Sequence, residues 1–529
     1  MNENIEQWNI SKNAISSEKG VVASQHWIAS SVGADALSKG GNAIDAAIAC
    51  AHALNVVEPW MCGLGGSGYI LIWLAEKKQI KVIDFQGVLP EKISFDDYPL
   101  DENVPETIMG FPGVKDEQNV LGYKSITIPG AVAGLSLALQ KFGRLGIDTI
   151  LSKTIELAER GLPVDWYTTL QIALESKDLS KFKESSKIYL PGNFPPNPEQ
   201  YISLGNLLKT LKRISENGPD DFYKGKIADD ICFDLNKGGS KISQNDLASY
   251  KPKFIEPLSF NYKGKKIYTA GENSGGMRLK DTFDYLQKHF KSSKEIGADT
   301  YIAYAKALNS AFKTHRKKLK KIVNHGCTSH LSAVDSDGNM VALTYTLLNR
   351  FGSKVVLPRT GILMNNSVSY FDPRPGYPTS MKGKKRINSS NMCPTICIEG
   401  DRAYFAIGAS GANHIVPCTM QIAGFLLDYN LSIENAFNLP RIDVNENDVI
   451  NVDASIDSQI IKELEKHFKL IKSQNLVFPK LYSCPSGVLR DSNGVNYAIG
   501  DKSSPVAAGK SQKDFKIKFS KKIDNKVRA

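Results

Sequence analysis

No run in the 529-residue chain approaches the roughly 20 apolar residues that a membrane-spanning helix needs. The longest candidate, Ala43–Val57, is interrupted by Asp45 and His52. The first residues, MNENIEQW, carry acids where a secretory signal needs positive charge followed by an apolar stretch, so a cytoplasmic location is expected. Cysteine is thin: Cys50, Cys62, Cys232, Cys327, Cys393, Cys397, Cys418 and Cys484 form no CxxC pair, and no His/Cys cluster has zinc spacing. That pattern suits reduced thiols, and neither a metal nor a cofactor is expected. Internal repeats and low-complexity tracts are missing. With 42% hydrophobic and 23% charged residues, a mainly disordered chain is excluded.

Acid is scarce in two places only. Segment 310–323 holds six Lys/Arg and no Asp or Glu, and segment 510–529 holds eight Lys/Arg against two acids. Each carries +6, so together they exceed the +11 of the whole chain and leave the body near neutral. A nucleic-acid or anionic-surface partner would rest on these segments alone. They lack interleaved aromatics and any recognised motif, and read instead as a solvated helix face or linker and a tail.

What is present is a two-part grammar. Residues 28–58 read as two helices divided at Gly40–Gly41, with Asn42 as the second cap. GLGGSGYILIW (63–73) is a glycine loop running into a buried strand, and a second strand follows at 80–85. The loop lacks GK[ST] and precedes a strand, where a phosphate loop precedes a helix, so close backbone packing or substrate contact is expected. Residues 86–125 read as irregular, and helical patterns run from 130 to about 237, including 132–141, 151–160 and 204–217. Beyond Cys327, strands alternate at 329–335 and 340–347 about the turn SDGN, and at 394–399 and 402–407. Helices follow at 413–428 and 456–469, then a strand pair about 491–494. Two sheet layers between helices would use both halves. Cys393 and Cys397 share one strand face and read as core thiols.

Chemistry concentrates in NHGCTSHLSAVDSDGNMVALTYTLLN (324–349). A chain cut before Thr328 would give that residue a free α-amine, with a pKa near 8, beside its own hydroxyl, so one residue supplies base and nucleophile. With a two-residue turn, paired hairpin positions place Thr346 opposite Ser329; a one-residue bulge at Gly338 moves it opposite Thr328. A threonine-rich strand pair is by itself far more often plain sheet.

The segments TSHLSAVDSDGNMVALTYTL, GILMNN, KRINSSNMCPTI and GASGANHI, with GGNAIDAAIA, LGGSGY, TIPGAVAG, NGPDDFYKGKIA and SGG in the front half, together resemble the γ-glutamyltransferase family, in family order over most of the chain. The resemblance implies an N-terminal-nucleophile hydrolase with an α+β, four-layer αββα sandwich. It implies self-cleavage at Cys327–Thr328 into a large chain, 1–327, and a small chain, 328–529, ending in the basic tail 510–529. Thr328 is then the nucleophile, Thr346 orients it, and the backbone N–H groups of Gly411 and Ala412 form the oxyanion hole. His330 is expected to be structural; Cys327, exposed by a cut one residue earlier, is the rival nucleophile.

Departures fall on the positions that hold the substrate. Gln86 replaces the arginine that grips the α-carboxylate, Tyr370 replaces the acid that holds the amino group, and Leu348 replaces an asparagine. The serine pair is half kept as Ser390–Asn391. Losing both charges points to another acyl group unless Arg350, Arg359 or Arg374 substitutes. The expected activity is hydrolysis or transfer of a small-molecule amide, γ-glutamyl or glutathione type, with water or an amine as acceptor. The alternatives are an acylase or amidohydrolase of another small, oxamate-like acyl amide, or a non-catalytic anion-binding protein.

Overall fold

The computed structural model describes residues 8, 10–316, 326–444, 449–478 and 481–512. Two seven-stranded antiparallel sheets lie at its centre. In chain order their strands are β1 (Ile15–Ser17), β2 (Val21–Ser24), β3 (Ser67–Leu74), β4 (Gln79–Asp84), β5 (Lys253–Ile255), β6 (Leu258–Tyr262) and β7 (Lys265–Thr269) in the first part of the chain. The second part gives β8 (Gly326–Val334), β9 (Met340–Asn349), β10 (Thr395–Glu399), β11 (Arg402–Ser410), β12 (Cys484–Arg490), β13 (Asn496–Gly500) and β14 (Ala508–Ser511). One sheet runs β14-β2-β8-β9-β3-β4-β5 and the other β1-β13-β12-β11-β10-β7-β6.

Three apolar layers hold these sheets. On the outer face of the first sheet, Leu331, Leu343, Tyr345 and Leu347 pack under α1 (Trp27–Ser38) and α2 (Ala43–Val57). Between the sheets lie Val21, Leu71, Trp73 and Ala342 against Ile396, Ala406 and Val488. Outside the second sheet, Cys393, Cys397, Phe405 and Ile407 pack against α3 (Gly276–His289), α4 (Ala298–Arg316) and α5 (Ile415–Asp428). Cys393 and Cys397 are thus core residues, and the architecture is the expected αββα sandwich. α2 is buried along its whole length because it is covered on every side. Its Asn42–Asp45 capping box starts it, and Asp45 also takes the Arg144 and Leu145 N–H groups at 2.9–3.0 Å. Among the described residues no helix is long and apolar enough to cross a membrane.

The β8–β9 hairpin adopts the bulged register. Asp335 N–H reaches Asn339 O at 3.1 Å, and Gly338 takes φ +84, the left-handed residue of a three-residue turn. Val334 therefore pairs with Met340 and Ser329 with Tyr345, and the register shifts again between Cys327 and Ser329. Two sequence expectations changed, both at 456–473. Residues 469–473 form a strand where the helix was expected to end, and helix 456–469 shrinks to Ser458–Glu465. Of the basic segments, Ser310–Arg316 close α4 and Lys510 and Ser511 belong to β14; 317–325 and 513–529 lie outside the described residues.

Candidate active site

The second register shift is a bulge on β9, where Thr346 and Leu347 together oppose the single residue Thr328, which lies on the face between the sheets. Its Oγ1 lies 3.4 Å from Thr346 Oγ1 and donates to Cys327 O at 2.7 Å. Thr346 Oγ1 also donates to Cys327 O, while accepting from Leu348 N–H at 2.8 Å. Two hydroxyls therefore converge on the one carbonyl that precedes Thr328. Thr328 and Cys327 are both buried.

The glycine loop explains why Thr346 is fixed. A Cβ on Gly66 would stand 2.6 Å from Thr346 O, and one on Gly68 2.2 Å from Thr344 O, so only glycine lets β3 lie this close to β9. Gly66 O accepts from Gly130 and Ala131, and Asn365 ties Gly65 O to Thr127. The motifs 64–69, 127–134 and 361–366 are one hydrogen-bonded unit behind the threonine pair. No phosphate-loop geometry is present there.

A 3-10 turn, Ala412–His414, packs on β8. Gly411 has φ +125 and Ala412 φ +50, a left-handed pair of which the alanine is the costly member. His330 is a structural residue between the sheets: its ring meets Thr344 Oγ1 at 2.7 Å and Ser332 Oγ at 3.0 Å, and burial lowers its pKa to about 3. On the opposite face, Ser329 Oγ donates to buried Glu58 at 2.8 Å.

Around the pair stand the substituted positions. Gln86 is fully buried; its Oε1 faces Ser67 Oγ at 3.4 Å, and its Nε2 has no hydrogen-bond partner among the described residues. Tyr69 lies beside the Gln86 side chain, and the Tyr370 phenol lies beside Ser390. Leu348 and Tyr370 join an apolar cluster with Val368, Phe371 and Ile387. Asn391 Nδ2 donates to Asn413 Oδ1 at 2.7 Å, and Asn391 Oδ1 accepts from Arg278. The arginines considered as substitutes are already engaged: Arg350 with Glu175, Arg359 with Asp230 and Asp234, and Arg374 with Asp372. Arg386, next to Gln86, is held by Asp84 at 3.4 Å and by the carbonyls of Gln86 and Lys251. Sequence reasoning missed Glu58, Tyr69, Arg278 and Arg386. Arg278 lies two residues past the SGG motif, which was its only local signal.

Such a sandwich, with a threonine at the start of a central strand, defines the N-terminal-nucleophile hydrolase class. The solved cephalosporin acylase from Bacillus halodurans has this fold: TM-score 0.84 at 22% identity, covering 97% of this chain and 99% of that one. The family model for gamma-glutamyltranspeptidase matches residues 29–320 and 302–508, and the chain belongs to that family. It is 28% identical to the glutathione hydrolase proenzyme of Escherichia coli (strain K12), over 92% of this chain and 91% of that protein. It is also 30% identical to the acylase ACY 1 proenzyme of Pseudomonas sp. (strain SE83), over 87% and 89%.

Proposed function

We propose that the chain is a self-cleaving amide hydrolase or acyltransferase in which Thr328 is first the processing nucleophile and then the catalytic one. The observation that carries this is the convergence of Thr328 Oγ1 and Thr346 Oγ1 on the Cys327 carbonyl. Attack of Oγ1 on that carbon forms a C–O bond, Thr346 stabilises the developing oxyanion, and the C–N bond breaks as the amine takes the hydroxyl proton. Water then hydrolyses the ester, leaving a Cys327 carboxylate and a free Thr328 α-amine. The amine activates Oγ1 for attack on a substrate amide, and the Gly411 and Ala412 N–H groups hold the second oxyanion. Water or an amine resolves the acyl-enzyme.

The residues that would hold a γ-glutamyl head group differ here from the family pattern. Its α-carboxylate would meet Gln86 and its ammonium Tyr370, neither of which carries charge, and a buried ion without its partner is costly by several kcal/mol.

Denaturing electrophoresis tests the processing step. Chains of 327 and 202 residues, with threonine at the new terminus, are expected. Thr328→Ala should remain uncut and inactive, and Thr346→Val should slow cutting by about 100-fold, as loss of one oxyanion donor does. An uncut wild-type chain would overturn the reading.

A further inference from the structure

The 3-10 turn Ala412–His414 ends in a side chain that the reaction above does not use. His414 is 8% exposed, and its Nδ1 lies 2.7 Å from the carboxylate of Asp443, itself 3% exposed. A carboxylate can only accept, so the imidazole hydrogen sits on Nδ1 and points at Asp443. Asp443 belongs to a short strand, Ile442–Val444, which α5 holds in place. Gln421 of α5 accepts from Ile442 N–H at 2.9 Å and donates to Ile442 O at 2.7 Å. The residue before that strand, Arg441, is 1% exposed and donates to Asp501 at 3.3 Å and to Ser483 O at 3.4 Å. Ser483 Oγ in turn donates to Ser410 O, directly before Gly411. Segment 441–443 thus grips the turn at both ends, through Ser483 where it begins and through His414 where it closes.

What lies between the two grips needs holding. Gly411 and Ala412 have φ +125 and +50, and the second is unfavourable for any residue with a Cβ. A turn free to relax would return Ala412 to negative φ and rotate its N–H group. In the reaction proposed above, the Gly411 and Ala412 N–H groups receive the oxyanion of the substrate. The oxyanion of self-cleavage is received elsewhere, by Thr346 Oγ1.

We propose that His414 and Asp443 are positioning residues for turnover: their hydrogen bond holds the turn in the left-handed form that aims the Gly411 and Ala412 N–H groups, and it takes no part in the cut. This rests on the self-cleaving hydrolase reading above and adds a division of labour to it. Maturation depends on Thr346, whereas turnover depends also on a backbone pair kept in place by His414 and Asp443.

The test measures cutting and turnover separately on the full-length chain. Cell-free synthesis followed on denaturing gels gives the half-time of cutting. The cut protein is then assayed with 4-nitrophenyl acetate, a small activated ester whose acyl group has no head group to recognise, with uncut Thr328→Ala as the blank. Asp443→Ala and His414→Ala should each lower nitrophenolate release by about 10–100-fold, as displaced oxyanion donors do, while the half-time of cutting stays within about twofold of wild type. His414→Asn keeps an N–H near the Nδ1 position and should bring release back to within about fivefold of wild type. The two His414 variants carry the test if Asp443→Ala fails to fold. Release unchanged in the alanine variants, cutting slowed as much as release, or no recovery in His414→Asn would each overturn the proposal. A wild type that cuts itself but ignores the ester overturns it and leaves the processing reading intact. A wild type that stays whole overturns both.

Discussion

At the residue scale, the most informative side chains are buried polar ones, because each needs a reason to be dry. Thr328 and Thr346 have one in the Cys327 carbonyl, and His330 has one in its two hydroxyl partners. His52 does not: it is 1% exposed in the middle of α2, and neither ring nitrogen has a partner among the described residues. Burial lowers its pKa to about 4. As pH falls below about 6.5 the unfolded chain takes up this proton while the folded one refuses it, so stability drops until pH nears 4. His52→Leu should therefore stabilise modestly at pH 8, and by about 2 kcal/mol more at pH 4.5, in urea denaturation at the two pH values. Loss of stability at both would mean that the imidazole is satisfied.

At the element scale, the two sheets approach closely where a β11 glycine faces a β8 histidine. A Cβ on Gly408 would lie 2.4–2.9 Å from the His330 ring atoms. Gly408→Ala should push β8 off β11, costing about 1–3 kcal/mol in chemical denaturation and slowing the proposed self-cleavage in the same variant. Unchanged stability and cutting would show that the ring can move. Helices α1 and α2 were legible because local signals set them: the glycine pair between them, and Asn42 three residues before Asp45. The β8–β9 pairing was legible to within one residue, and Gly338 in the turn decided between the two registers. Strands β6 and β7, paired about Lys263–Gly264, were missed although LSFNYKGKKIYT carries a hairpin pattern. The Arg278–Asn391–Asn413 contact was not legible at all, since residues 113 and 22 apart meet there only through the tertiary fold.

At the scale of the whole molecule, the first sheet interleaves sequence-distant parts. The β8–β9 hairpin lies between β2 and β3, and β14 closes the edge beyond β2. The proposed cut at Cys327–Thr328 would leave β2, β3, β4, β5 and the first two residues of β8 on one piece, and the rest of β8 with β9 and β14 on the other. The two pieces should co-elute in size exclusion and separate only in denaturant; separate elution in native buffer would contradict the shared sheet. The cut also changes the kind of stability the protein has. Before it, unfolding and refolding are events within one molecule. Afterwards, unfolding releases two fragments that must find each other again, so recovery depends on concentration and slows without limit on dilution. The proposed scission that would free the Thr328 amine would thus make folding effectively a one-time event, with the working lifetime of the cut protein set by how slowly the interleaved strands come apart.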